Sequence, residues 1–331
     1  MAVTQMLTLG EVHTGLLQHS TPLSPAGAEH ILGLAQGERV RRFERPISYA
    51  VSPDLLTGVD CPLATSSGAR VRGIGTVRHR AAITGGHVLQ GSAMVQVTSG
   101  QSAGRLPWPH YLARPGQVET TGRADWTDLA RGFVAARSAT AATLDLGAVS
   151  GRLMDTVQAM PGLDRRPPFR VARTRLRWVA FSVDRPGAHP PDDPPRPVRQ
   201  VAFRIEGRQL RTLRLRCAAE EAPGVAELCE DLALHDWLLS TLLEVMERSR
   251  IGSGPRRQAV DRLAPAIDHL LHLWMPAARL DGDLATVWES LERRPGLSRQ
   301  WHASVNRIRD QLALSTIALL GRKPSGSTTA A

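Results

Sequence analysis

Apolar positions recur with two different periods along this chain, and the change of period divides it. Over residues 1–104, short runs such as MLTLGEV, ISYAV, ARVRGIGTV and VLQGSAMVQVT alternate apolar with polar or small residues and are punctuated by Gly, Pro and Ser. Period-2 alternation of this kind predicts antiparallel strands. Gly85 and Gly86, between two such runs, predict a hairpin turn, because glycine reaches the positive φ that tight turns need. One helix is expected among the strands, over residues 25–36, with Pro25 at its start and Gly37 past its end.

Beyond a proline-bearing LPWPHYLARPG segment, ADWTDLARGFVAA and LGAVSGRLMDTVQAM read as helices, with Asp125 and Asp128 placed where the first of them favours negative charge. Residues 169–184 are then expected to form a long strand and residues 201–217 a hairpin turning at Glu206 and Gly207. Between them lies RPGAHPPDDPPRP, a stretch without apolar period that predicts a mobile loop over about 185–197.

From residue 223 the period becomes 3.6. Leu228, Leu232, His235, Leu239, Leu242 and Met246 fall on one stripe of a helix over 223–250. A second helix is expected over 256–275, with Pro265 kinking or delaying it, a third over 283–293, and a fourth over 297–320. Four apolar stripes can bury one another as a bundle. The chain therefore reads as α+β: a β-rich region over 1–217, a C-terminal helical bundle over 223–320 and a disordered tail over 321–331.

Charge sharpens this picture at one place. Of 331 residues, 41 are Lys or Arg and 31 are Asp or Glu, giving a net charge of +10. Residues 165–216 hold fourteen arginines against four acids and so account for all of it, while the flanking regions nearly balance. Lys323 is the single lysine, which fits a GC-rich coding sequence. Codon bias explains why a base is Arg but not why acids are missing from one stretch. Arg173, Arg175 and Arg177 share one strand face by parity, and Arg214 and Arg216 alternate with Leu213 and Leu215 in the hairpin. These five predict a central antiparallel basic sheet facing an anion or a partner, with a solvated face paired to acids of the helical region as the alternative. Trp178 has the opposite parity and belongs in the core.

Other chemistry is thinner. His235 lies one turn after Asp231 on an apolar stripe, a geometry in which a carboxylate can orient an imidazole, although a buried histidine tying two helices together is the commoner case. Cys61, after Asp60, is a third polar candidate, with burial at a strand end as its alternative. His269 and His272 fall off the apolar face of their helix and are expected at the surface rather than in a metal site. Gly73 and Gly75 in RGIGTV lack the third glycine and the helix of a dinucleotide loop, and the chain contains no GxxxxGK[ST], HExxH or GxSxG. No metal and no cofactor is expected. Three cysteines without CxxC spacing, the absence of a basic leader and apolar stretches too short to span a bilayer predict a cytoplasmic protein off the membrane.

The runs YAVSPDLLTGVDCPL (49–63), LPWPHYLARPG (106–116), LCEDLALHDWLLSTLLE (228–244), HLWMPAARLD (272–281) and RPGLSRQWHASVNRIRDQLAL (294–314) resemble an actinobacterial protein family that has no assigned activity. The similarity spans nearly the whole chain. The resemblance implies a gene neighbourhood with a variant P-loop protein and a methyltransferase-like protein, and hence a multi-protein setting. Taken together, the expectation is a noncatalytic accessory or scaffold protein that binds a partner protein, with that P-loop protein as the candidate, and an anionic surface. Nucleic-acid binding and an enzyme with an interdomain site around His235 are the alternatives.

Overall fold

Ten strands hydrogen-bond into one mixed sheet, with helices on both of its faces, so the chain is α+β. The computed structural model describes residues 5–100, 104–122, 125–135, 143–183, 198–218, 222–249, 256–280 and 282–320; the expected mobile loop at 185–197 and tail at 321–331 lie outside them. The strands are β1 (Gln5–Leu16), β2 (Arg41–Phe43), β3 (Tyr49–Val51), β4 (Leu55–Leu63), β5 (Val71–Thr84), β6 (Val88–Ser99), β7 (Gln117–Thr121), β8 (Thr174–Val183), β9 (Val198–Ile205) and β10 (Leu210–Ala218). They run in the order β2-β3-β5-β7-β6-β1-β8-β10-β9, with β4 also paired to β5.

The expected turn joins β5 to β6, and both Gly85 and Gly86 have positive φ. Gly73 and Gly75 lie inside β5, where a Cβ at Gly75 would stand 2.0 Å from the Gln117 carbonyl oxygen. Close strand contact, not phosphate binding, is what these glycines permit.

The expected antiparallel central sheet is corrected to a mixed one. β10 is antiparallel to β9 but parallel to β8. Burial explains the order: Leu213, Leu215 and Cys217 of β10 are all buried, opposite Trp178, Ala180 and Ser182, whereas β9 exposes Ala202, Arg204 and Ile205. The more apolar strand takes the inner position and the more polar one the edge.

Helices α1 (Pro25–Leu32), α3 (Trp126–Ala135) and α4 (Leu146–Gln158) pack on one face, and α2 (Trp108–Leu112) lies against β5. α1 ends at Gly33, four residues before Gly37, because the Gly33 N–H turns back to the His30 carbonyl. The opposite face carries α5 (Ala222–Ser249), which crosses β1, β8 and β6, and beyond it α6 (Arg256–His269), α7 (Gly282–Arg293) and α8 (Leu297–Leu320). The helix expected over 256–275 ends at His269 and continues as a 3-10 turn, Leu271–Leu273. Leu234, Trp237 and Leu238 of α5 are buried as completely as its predicted stripe. The reason is position: α5 is clamped between the sheet and the outer helices, and one apolar cluster joins Leu176, Trp178, Leu213 and Leu215 to Leu228, Leu242, Leu263 and Trp301.

Candidate functional site

The five predicted arginines share a face, as the register requires. Leu210 pairs with Arg175 and Thr212 with Arg177, so Arg214 and Arg216 continue the side of the sheet on which Arg175 and Arg177 lie. Their environments then diverge. Arg177 is buried under α3: its Nε–H donates to Glu11 Oε2 at 2.9 Å, a second N–H reaches the Phe133 carbonyl at 3.0 Å, and the guanidinium lies over the Phe133 ring. Arg175 lies 3.8 Å from the same Glu11, and Arg173 donates to Asp155 at 2.8 Å.

Glu11 is the residue that sequence reading missed here. It sits in β1 opposite Arg177, fully buried, with His13 also 3.3 Å away. Burial alone would raise its carboxyl; the His13 hydrogen bond and the Arg177 charge outweigh burial and hold it below its ordinary value. Gly147 of α4 makes room for it, since a Cβ there would meet Glu11 Oε1 at 2.6 Å.

Past β8 this cover ends. Arg214 and Arg216 are exposed, and Arg204 of β9 joins them, because Arg204 pairs with Thr212 and Ala202 with Arg214. None of the three makes an ion pair among the described residues. Neighbouring strands are about 4.8 Å apart and alternate residues on one strand about 7 Å, so three guanidinium groups share one compact surface. Arg204 was legible as a base, but its place beside the other two depends on strand order.

The polar candidates separate. Asp231 and His235 face the C-terminal helices, while Cys61 of β4 packs against the cluster under α3 and α4 on the other side of the sheet. Cys61 therefore does not join them. Its thiol is pushed up by burial and by Asp60, against the pull of Arg72, which lowers its nucleophilic fraction.

His235 is wholly enclosed. Its Nε2 accepts the Met275 N–H at 3.2 Å, so Nδ1 carries the proton and donates to the Asp231 carbonyl at 2.7 Å. The rings of Trp274 and Trp288 meet it edge-on. Burial lowers its pKa despite the neighbouring carboxylate. The Asp231 carboxylate accepts from the Ala277 N–H at 2.9 Å, from Trp288 Nε1 at 3.0 Å and from Arg279 at 3.3 Å. Together these bonds tie α5 to the 275–279 loop and α7.

His269, expected at the surface, is instead half-buried: its Nδ1 lies 3.0 Å from His87 Nε2, and its ring stacks on Phe169. His87 and Phe169, distant in sequence, cover it, and a helical wheel contains neither. His272 is exposed.

Near Asp231 the sheet and helices leave a cavity of about 320 Å³, lined by Arg41, Phe43, Arg45, Tyr49 and Val51 from the β2–β3 region and by Glu227, Glu230, Asp231, Ala278, Arg279 and Leu280 from the helical side. Arg80 and Glu230 form a forked pair at 2.9 and 2.8 Å beside it. Arg279 lies over the Tyr49 ring at 4.1 Å. Desolvation, with Glu230 nearby, pushes the Tyr49 hydroxyl up to about 12, so it stays protonated. Strand pairing that no local pattern reveals brings these residues together. Comparison with protein-family models, with curated proteins and with solved structures found no match.

Proposed function

We propose that this protein works by binding, as an accessory or scaffold subunit of a multi-protein bacterial assembly, and that an acidic surface of a partner protein docks on the arginine face of the sheet. The observation that carries this reading is the trio Arg204, Arg214 and Arg216, exposed together without a carboxylate partner among the described residues. Arg173, Arg175 and Arg177, the other predicted members, are already engaged by Asp155 and Glu11. In this reading the working basic sheet is β9–β10, and the C-terminal helices form a bundle that braces it from behind. Both ring nitrogens of His235 are held by backbone groups, which favours a binding role over a catalytic one at that residue. No described helix is long and apolar enough to cross a membrane.

The test is a titration of the full chain against immobilised polyglutamate and against duplex DNA as salt rises, with the Arg204→Gln/Arg214→Gln/Arg216→Gln variant beside it. Polyglutamate binding that weakens with salt and drops at least tenfold in the variant is the expected result. Tighter binding to DNA, with a log-log salt slope near −2.7 for about three phosphate contacts, would transfer the face to nucleic acid. Unchanged polyglutamate binding in the variant would remove the trio from the docking surface.

A further inference from the structure

The cavity at the opposite edge of the sheet has the composition of a small-ligand site distinct from the arginine face. We infer that it binds a compact planar organic anion, an aryl phosphate or aryl carboxylate, with the anionic group on Arg41 and Arg45 and the ring against Phe43, Val51 and Leu280.

The placement follows from register. Arg41 pairs with Val51 and Phe43 with Tyr49, so these four side chains lie on one face of the β2–β3 ribbon, and Glu227, Glu230 and the 278–280 loop close the opposite wall. A volume of about 320 Å³ is at the lower end for ligand pockets, which suits a single ring with its substituent.

Charge accounting then selects the sign of the ligand. Glu230 is engaged by the Arg80 fork and Asp231 by Arg279. Glu227, half exposed, shares Arg80 at 3.8 Å. Arg41 and Arg45 have no ion pair among the described residues, and both line the cavity. Guanidinium forks lining one cavity are matched to phosphate or carboxylate oxygens.

Two features of the aromatic wall select a ring. Phe43 stacks on Tyr49 at 5.8 Å yet remains 48% exposed, offering a free aromatic surface at the cavity. Tyr49 also carries the Arg279 guanidinium over its ring, and Arg279 lines the same cavity. Its hydroxyl has no hydrogen-bond partner among the described residues, and its raised pKa keeps it a donor across the neutral range. A ligand oxygen in the cavity would accept from it.

The test uses the full chain and calorimetric titration with phenyl phosphate, benzoate and inorganic phosphate. Phenyl phosphate is expected to bind with one site per chain, at least tenfold more tightly than inorganic phosphate. Arg41→Gln/Arg45→Gln should reduce its affinity at least tenfold, and Tyr49→Phe severalfold. Because Arg41 and Arg45 are exposed and make no ion pair among the described residues, that variant should keep the wild-type circular dichroism and melting profile. The proposal is overturned if neither aryl anion gives saturable heat at millimolar concentration, or if inorganic phosphate binds as well as phenyl phosphate. It is equally overturned if phenyl phosphate affinity survives in the Arg41/Arg45 variant and disappears in the Arg204/Arg214/Arg216 variant, since the anion would then reside on the docking face. Loss of polyglutamate binding in the trio variant with phenyl phosphate binding intact would show that the two sites are separate.

Discussion

Arg177 and Arg214 lie on the same face of adjacent strands, yet one is 6% exposed and held by a buried carboxylate while the other is exposed and has no ion-pair partner among the described residues. The difference is what lies above them. α3 and α4 roof β6, β1 and β8, and their presence forces any charge beneath to be neutralised; the β10–β9 margin has no such roof among the described residues. An arginine cluster in a sequence is thus two populations, one that serves the fold and one available for binding, and the roofing helices separate them.

The contrast breaks most severely at Glu11. Glu11→Ala would leave Arg177 buried without its carboxylate, and removing one partner of a buried pair costs about 3–5 kcal/mol. Urea unfolding should show this loss, and a change below about 1 kcal/mol would mean that Arg177 finds water or another acceptor. The pH sign is fixed as well. Because the folded Glu11 carboxyl lies below its ordinary value of 4.5, its contribution is complete above that value and is lost as pH falls toward the folded pKa. The Glu11→Ala variant should therefore lose less stability than the wild type on acidification through that range.

The roof itself can be lifted at Gly91. This β6 residue faces α4, and a Cβ there would stand 2.5 Å from the Ser150 carbonyl oxygen and 2.7 Å from Met154 Cγ. Gly91→Ala should cost about 1–3 kcal/mol by overpacking backbone against backbone. Raised hydrogen exchange in α4, with that of α5 unchanged, would place the damage on the roofed face alone.

How much of this was readable in advance depends on range. The β5–β6 turn at Gly85 and Gly86, the α8 boundaries and the parity of Arg175, Arg177, Arg214 and Arg216 all follow from local pattern, because turn chemistry and side-chain period are properties of a few consecutive residues. The neutralisation of Arg177 by Glu11 spans 166 positions, and the Arg80–Glu230 fork spans 150. No window of sequence contains either pair. Strand order was hidden for the same reason: β9 and β10 read as a hairpin, but which of them meets β8 is decided by competition between their apolar faces. The cavity by Tyr49 depends on both kinds of long-range pairing, so only Asp231 among its lining was singled out from the sequence.

A weaker contrast lies between the two faces at the sheet's far end, where the β5–β6 turn meets α6. His87 is buried, its Nδ1 has no hydrogen-bond partner among the described residues, and its Nε2 faces His269 Nδ1. Desolvation first, then the neighbouring histidines, lowers its pKa to about 4. For a base with a depressed folded pKa, the stabilising neutral state is complete above the ordinary value of 6.5 and is lost as pH falls from there toward about 4. Wild-type melting temperature should decline through that interval, and His87→Gln should flatten the decline. An equal slope in the variant would assign the acid sensitivity elsewhere.

The smallest effect on folding is expected where the effect on binding is largest. Arg204, Arg214 and Arg216 are exposed and make no ion pair among the described residues, so replacing all three with Gln removes no buried contact. Surface substitutions of this type shift stability by about 0.5 kcal/mol or less each, and relief of mutual repulsion acts in the stabilising direction. Matched unfolding curves for the triple variant and the wild type would confirm that these arginines do nothing for the fold, in direct opposition to Arg177. A loss of several kcal/mol would instead mean that the trio is neutralised from within the protein, as Arg177 is, and the division between structural and available arginines would fail at the place where the docking face depends on it.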